Sequence, residues 1–307
     1  MSKRQDRGFR DGGKSGDNRP TMPSPDTIEN LPLSTQEVEQ LFSQYKDVQP
    51  YAVRAETMKR IEKITGNRLL CYVTQTNFLP TDLPANVISI EDSDIEGFDS
   101  LIDTVSTETT NHNVDILFVS NGGSPEAAER IVRLLRENFT QIRFILPANA
   151  FSAATMMSFA CDSVLMTDSA TLGPIDPQIG GIPARTILRG FEDLERRLKE
   201  EGPEALAAYI DLLKGYSLHL LEICKSAESL AQELARNWLS QYMLKCSPDD
   251  PKVLEIVHHF ANYDKHKSHS RSIGRQQAIE LGLVIEKLER GTQLGSGEDY
   301  GYTKSMR

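Results

Sequence analysis

A serine opens an apolar helix near the middle of the chain. Ser152 is followed by Ala153-Ala-Thr-Met-Met, and the predicted helix continues to Cys161 with almost no polar residues. Backbone N–H groups and the helix dipole both favour developing negative charge at a helix N-terminus, so this position suits a nucleophilic hydroxyl. A serine is a weak nucleophile unless a general base lies beside it. A base must therefore come from elsewhere in the chain.

Two adjacent glycines form a second candidate element of a site. Asn121-Gly122-Gly123 follows the apolar run Val114–Val119, and Ser124-Pro125-Glu126 then has the pattern of a helix start. Adjacent glycines let the backbone turn sharply and direct N–H groups toward a ligand. The sequence therefore predicts a buried strand, a glycine turn and a helix, with amides available for an anion.

Lys214 is the first candidate for the base. It lies in the segment 206–224, where apolar residues recur at helical spacing and predict one continuous helix. Desolvation beside such a stripe would favour the neutral amine, which can accept a proton. The alternative is that Lys214 is an edge residue whose stem runs past the stripe into water. Lys199 is a poorer candidate because its segment is rich in charge.

Several blocks of the sequence resemble the ClpP and crotonase-like serine peptidases. The likeness is greatest to the serine dehydrogenase proteinases, which are related to signal peptide peptidase A, and it spans roughly residues 88–285. The blocks are Ser120-Asn-Gly-Gly-Ser, Phe151-Ser-Ala-Ala-Thr, Ala160-Cys-Asp-Ser-Val-Leu-Met, Ala170-Thr-Leu-Gly-Pro-Ile-Asp-Pro-Gln and Gln277-Ala-Ile-Glu-Leu-Gly-Leu-Val. The resemblance implies an α/β, ClpP/crotonase-like fold of repeated β-β-α units with additional C-terminal helices.

The same resemblance implies roles for individual residues. Ser152 would be the nucleophile, and the amides around Gly122, Gly123 and Ala153 would form the oxyanion hole. Asp176-Pro177 stands where the Clp subunit has its histidine, so a serine–lysine dyad with Lys214 becomes the expectation. His269 is the reserve candidate, as an alternative base or a substrate contact.

One residue departs from the family pattern at the nucleophile. Relatives have a glycine where this chain has Ala154, and the added methyl group could narrow the site.

The activity implied by the resemblance is that of a cytoplasmic serine endopeptidase that cleaves polypeptides through an acyl-enzyme. Such an enzyme needs no cofactor. Members of this fold usually assemble into rings or stacked oligomers, so the resemblance also implies a homo-oligomer. An activating partner protein or unfoldase is compatible with this expectation. Two alternatives stay open: an inactive scaffold that has kept the fold, and a crotonase-type acyl-thioester enzyme that does not need Ser152.

Composition limits the classes of function. The chain has 307 residues, a net charge of −10 and a pI near 5.2, which argues against general nucleic-acid binding. Its four cysteines fit neither a disulfide framework nor a metal site, which indicates a reducing compartment. The histidines between His258 and His269 do not have the spacing of a closed zinc site, and no metal is expected. No apolar run is long enough for a membrane span.

The predicted organisation has four parts. Residues 1–30 form a disordered tail, 31–66 form N-terminal helices, 67–290 form the ClpP/crotonase-like peptidase domain and 291–307 form a disordered C-terminal tail. Within the domain, strands and helices alternate through Met166, the pattern of an α/β fold. The predicted elements are strands at 68–74, 86–90, 114–119 and 142–146, helices at 51–64, 95–105, 125–138, 153–161 and 253–260, and two or three long helices between Pro183 and Pro248.

Overall fold

The computed structural model describes residues 50–74, 88–106, 112–202, 204 and 206–288. The chain divides into two compact units, residues 1–65 and 66–307. In the first unit the structure describes one helix, α1 (Pro50–Thr65), close to the prediction for 51–64. The predicted tails at 1–30 and 291–307, and the predicted helix start near Leu33, lie outside the described residues.

The second unit contains the strands and the other helices. The strands are β1 (Arg68–Val73), β2 (Asn113–Val119), β3 (Gln141–Leu146), β4 (Asn149–Ala150), β5 (Ser163–Thr167), β6 (Thr171–Leu172), β7 (Gln178–Ile179), β8 (Ile182–Pro183), β9 (Ile273–Gly274) and β10 (Ile285–Leu288). The helices are α2 (Asp92–Ser106), α3 (Pro125–Asn138), α4 (Ala153–Phe159), α5 (Ala184–Glu201), α6 (Leu206–Leu213), α7 (Leu218–Trp238), α8 (Pro251–Ala261), α9 (Tyr263–His266) and α10 (Arg275–Leu281). A π-helical turn, Leu239–Met243, extends α7. Among the described residues, no helix is both long and apolar enough to cross a membrane.

The main sheet has five parallel strands in the order β1-β2-β3-β5-β10. Most residues of the central strands are buried, because helices cover the sheet. This is the α/β architecture that the alternation of elements predicts, and it is consistent with a ClpP-like fold. A smaller sheet, β4-β6-β9, pairs β4 with β6 in parallel and β6 with β9 in antiparallel orientation.

The helix after the glycine turn agrees with its sequence signals. Ser124 is the N-cap residue of α3, its hydroxyl accepts a hydrogen bond of 3.1 Å from the Ala127 amide, and Pro125 occupies the first turn. The buried face of α3 includes the four positions that helical periodicity selects, Ala128, Ile131, Val132 and Leu135. Helix α4 is buried along its whole length, as its apolar composition predicts.

Two predicted elements are wrong. Within the described part of the predicted strand at 86–90, pairing is limited to a single bridge from Ile90 to Gly123. The segment 206–224 is not one helix, because α6 ends at Leu213 and α7 begins at Leu218. Ser217 is the N-cap residue of α7, and its hydroxyl accepts a hydrogen bond of 3.0 Å from the Leu220 amide. A side-chain cap of this kind starts a new helix rather than continuing the old one.

Candidate active site

The small sheet β4-β6-β9 gathers three segments of the chain at one edge. Ser152 follows β4, and Asp176 follows β6, which runs parallel to β4. His269 precedes β9, which runs antiparallel to β6, so its N-terminal end lies at the same edge. The register, with Leu172 opposite Ile273, therefore brings residues distant in sequence to a common place.

Ser152 occupies a strained turn between β4 and α4. Its backbone has φ 54° and ψ −124°, a conformation that residues with a Cβ rarely adopt. The Ser152 hydroxyl makes no capping hydrogen bond to α4 and has no other partner in the described part of the chain. A residue held in such a conformation, with its hydroxyl unpaired at a helix N-terminus, has the arrangement of an exposed nucleophile.

The glycine turn packs directly against this serine. A Cβ on Gly122 would lie 2.6 Å from the Phe151 carbonyl oxygen and 2.8 Å from Cβ of Ser152, and φ of Gly122 is +96°. A Cβ on Gly123 would lie 2.3 Å from backbone atoms of Ile90. Only glycine therefore lets the turn approach both segments this closely.

Two backbone amides beside Ser152 are available as donors. The bridge to Ile90 uses the Gly122 carbonyl and the Ser124 amide, which leaves the Gly123 N–H directed away from it. The Ala153 N–H belongs to the first turn of α4, where no intrahelical acceptor exists. Neither amide donates a hydrogen bond in the described part of the chain. The Gly122 amide differs, because it donates to Oγ of Ser120 at 3.1 Å.

Thr155 fixes the distance between the serine turn and the segment that carries Asp176. Its hydroxyl donates to the Ala150 carbonyl at 2.6 Å and accepts from the Gly173 amide at 3.0 Å. The ring of Phe151 lies against Gly173, where a Cβ would come within 2.5 Å of it. A larger residue than glycine would therefore push the two segments apart.

Asp176 and His269 form a buried polar pair. Nδ1 of His269 lies 3.0 Å from Oδ1 of Asp176, and Nε2 of Gln178 donates to Oδ2 at 3.0 Å. The carboxylate is buried, whereas a quarter of the histidine side chain is exposed. Because a carboxylate only accepts hydrogen bonds, Nδ1 of His269 donates to it, and in the neutral imidazole Nε2 is then the acceptor. This is the tautomer of a histidine that acts as a base.

Ser152, Ala153, Gly122, Gly123 and His269 all line one cavity of about 810 Å³. The residues predicted to form the oxyanion hole and two of the three other candidates, Ser152 and His269, therefore line the same cavity. The described residues gather no group of three or more histidine, cysteine, aspartate or glutamate side chains arranged to hold a metal ion.

Lys214 lies elsewhere. It is on the surface between α6 and α7, with 73% of its side chain exposed, and its ammonium pairs with Asp211 at 2.6 Å. It does not line the cavity that contains Ser152. The desolvation expected for it is absent, because the apolar stripe beside which it was predicted belongs to two separate helices.

A second histidine cluster supports the loop that carries His269. Nε2 of His266 donates to the backbone carbonyl of His259 at 2.6 Å, and Nδ1 of His259 accepts from the Lys265 ammonium at 2.9 Å. Both imidazoles are buried, and Nε2 of His259 has no hydrogen-bond partner among the described residues. Burial, with the nearby charge of Lys265, lowers the pKa of His259 from 6.5 to about 4. This histidine is therefore neutral and structural near pH 7.

The sequence did not identify Asp176 and Gln178 as members of the site. A signal was present, because Asp176 stands between Ile175 and Pro177 in a segment with few polar residues. A carboxylate buried there requires a hydrogen-bonding partner, and histidine is the residue that most often needs a carboxylate to orient it.

Comparison with known proteins matches the part of the chain that contains the glycine turn, Ser152 and Asp176. The model of the ClpP-like SDH-type serine proteinases matches residues 40–207. Two uncharacterized proteins of Methanocaldococcus jannaschii are similar to the chain, one 27% identical over 199 residues and the other 25% identical over 206 residues. The matches cover 65% and 66% of this chain, and 60% and 62% of those proteins. The chain thus matches less than two thirds of the length of these curated relatives.

Proposed function

Because the chain belongs to the family of ClpP-like SDH-type serine proteinases, we propose that it is a serine peptidase that hydrolyses polypeptides through an acyl-enzyme on Ser152. We further propose that His269, oriented by Asp176, is the general base. The observation that carries this proposal is that Ser152, His269 and two amides without acceptors line one cavity.

The proposed mechanism assigns a step to each of these groups. Oγ of Ser152 attacks the carbonyl carbon of the peptide, and its proton passes to Nε2 of His269. The tetrahedral oxyanion accepts hydrogen bonds from the N–H groups of Gly123 and Ala153. The C–N bond then breaks, and the proton on His269 passes to the departing amine. Water, activated by the same imidazole, hydrolyses the resulting ester and regenerates Ser152.

His269 is preferred to Lys214 for two physical reasons. The imidazole has Nδ1 bonded to a buried carboxylate, which stabilises the imidazolium that forms when Nε2 accepts a proton. Lys214 is exposed, its ammonium pairs with Asp211, and it does not line the cavity that contains Ser152.

A fluorophosphonate probe followed by peptide mapping tests this proposal. We expect labelling at Ser152 in the wild type, none in Ser152→Ala, a strong reduction in His269→Gln and wild-type labelling in Lys214→Ala. Loss of labelling in Lys214→Ala, with His269→Gln unaffected, would instead establish the serine–lysine dyad. A folded wild-type protein that is not labelled would favour the scaffold alternative. Hydrolysis of acyl thioesters by Ser152→Ala would favour the crotonase-type alternative.

We also propose that copies of the chain associate with one another. Seven of the eight residues of α6, LAAYIDLL, are apolar, yet Leu206 and Ile210 are 42% and 49% exposed. Association would remove this apolar surface from water. Light scattering coupled to size exclusion tests the proposal, since Ile210→Asp should lower the mass of an oligomer and the matched surface change Leu101→Asp should not. A monomeric wild type would refute it.

The cytoplasmic location and an activating partner stay predictions from the sequence.

A further inference from the structure

We propose that the peptide segment on the acyl side of the scissile bond carries large apolar side chains, and that one face of α7 selects them. Ile223 and Ala227 would be the specificity-determining residues. This inference rests on the proposed function, because it names the substrate class for the same cavity. The acyl part of the substrate stays bonded to Ser152 after the amine leaves, so it must occupy the space into which Ser152 opens.

One face of α7 forms a wall of that space. The residues of α7 that line the cavity recur at intervals of three and four and therefore share a face of the helix. They are His219, Glu222, Ile223, Ser226, Ala227, Leu230 and Ala231. Helix α4, which begins directly after Ser152, packs against α7. The nucleophile and this wall are therefore neighbouring parts of one cavity.

The other walls are also largely apolar. Met156 from α4, together with Ile175 and Ile179 from the segment around Asp176, lines the same cavity. An apolar lining with a few polar groups at the reacting centre is the usual composition of a ligand cavity of this size. An apolar side chain placed here gains free energy in proportion to the area that it removes from water.

The charges in the cavity oppose acidic substrates. No lysine or arginine is among the described residues that line it, whereas Glu126 and Glu222 are. The Glu222 carboxylate pairs with Lys225, and both side chains are exposed. The carboxylate of an aspartate or glutamate next to the scissile bond would therefore be desolvated without a lysine or arginine to pair with, which costs free energy.

The middle of α7 has an exposed apolar side chain, Ile223, next to a small residue, Ala227, that leaves space in the cavity. Ala231 is 5% exposed, whereas Ile223, two turns nearer the N-terminus, is 53% exposed beside the cavity. Ala227 lies between them with a single methyl group. Bound substrate would cover Ile223 and occupy the space above Ala227. The family match ends at residue 207, so this selecting wall comes from a part of the chain that the family model does not cover.

The test uses peptide aminocoumarin substrates that differ only in the residue before the coumarin: leucine, phenylalanine, alanine, aspartate or lysine. We expect kcat/KM of the wild type to be at least about tenfold higher for leucine or phenylalanine than for aspartate. Ala227→Phe should lower the leucine and phenylalanine values about tenfold while largely sparing alanine, because the new ring fills the space. Ile223→Asp should lower the apolar values and raise the value for lysine. The matched controls Ala55→Phe, on α1, and Leu101→Asp, on α2, do not line the cavity and should leave this order unchanged.

A binding measurement separates this inference from the proposed function. Ser152→Ala protein is titrated with fluorescent peptides of the same sequences, and polarisation reports affinity without turnover. If the wild type is not labelled by fluorophosphonate while the Ser152→Ala protein prefers leucine peptides and Ala227→Phe removes the preference, the peptidase proposal fails and the selecting wall stands. If Ser152 labels but leucine, aspartate and lysine peptides are bound and cleaved equally, the wall is refuted and the peptidase stands.

Discussion

Nδ1 of His269 lies 3.0 Å from the carboxylate of Asp176, a residue 93 positions earlier in the chain. The second oxygen of that carboxylate accepts a hydrogen bond from Gln178. Both acceptor atoms of a buried acid are thereby satisfied, which fixes the plane of the carboxylate and the imidazole bonded to it. Asp176 therefore orients His269, the proposed base. The helix that follows His269 in sequence, α10, does not.

Replacing Asp176 by asparagine should lower kcat/KM on a peptide substrate by about a thousandfold. The amide can donate to Nδ1 of His269, which would move the imidazole proton to Nε2 and remove the acceptor for the serine proton. Steady-state kinetics measures the effect, and circular dichroism verifies the fold. Asp211→Asn, which removes the partner of Lys214, is the control and should retain full activity. Equal losses in both variants would contradict the assignment of Asp176.

Gln178→Ala should lower kcat about tenfold with little change in KM, because Gln178 positions the carboxylate and does not line the path of the proton. Gln276→Ala offers a matched control, since Gln276 also donates to a carboxylate, that of Glu280, but on the surface. The control should be unaffected. A change confined to KM in Gln178→Ala would assign Gln178 to substrate binding instead, which its position in the cavity lining also allows.

Gly122→Ala should abolish fluorophosphonate labelling of Ser152. The new methyl group would lie 2.8 Å from Cβ of Ser152, at a backbone φ of +96°, so the turn must move. Gly180→Ala separates contact from conformational strain, because Gly180 also has a positive φ but nothing lies within 4 Å of its added Cβ. Gly180→Ala should destabilise the fold by about 1 kcal/mol and label normally. Normal labelling of Gly122→Ala would refute the close packing of the two turns.

Acid should destabilise the fold through His259. Its pKa lies at about 4 in the folded chain, against 6.5 for the free side chain, mainly because of burial. Between about pH 6.5 and pH 4, His259 is therefore protonated in the unfolded chain but remains neutral in the folded chain. Stability from this group is complete above pH 6.5 and is lost as the pH falls toward 4, by about 3 kcal/mol in total. Urea unfolding at several pH values should show a flatter profile for His259→Phe and an unchanged one for His112→Phe, because His112 is exposed and does not contribute to the His259 pKa shift.

The main architecture was predictable because its signals are long and local. The strand at Val114–Val119, the glycine turn and the helix with Pro125 in its first turn all follow from periodicity and capping. The buried helix after Ser152 follows from its composition alone. Each of these features depends on residues close together in sequence, so tertiary packing has little to add.

The pairing of His269 with Asp176 was not predictable in the same way. Strands β6 and β9 have two residues each, too few for any periodicity, and yet their pairing brings Asp176 to His269. The single helix predicted around Lys214 was wrong for the opposite reason, because apolar spacing continued across two segments that belong to different helices. Gly215 and the capping residue Ser217 indicate that one helix ends and another begins here. Signals of this kind outweigh periodicity over short spans.

The small sheet also orders events during synthesis of the chain. Ser152 and the two amides proposed for the oxyanion hole leave the ribosome more than a hundred residues before His269, and β10, which completes the main sheet beside β5, follows later still. While those residues are made, the nascent chain carries the proposed nucleophile without the proposed base. In the proposed mechanism, the base therefore becomes available only as the last strand of the main sheet is made.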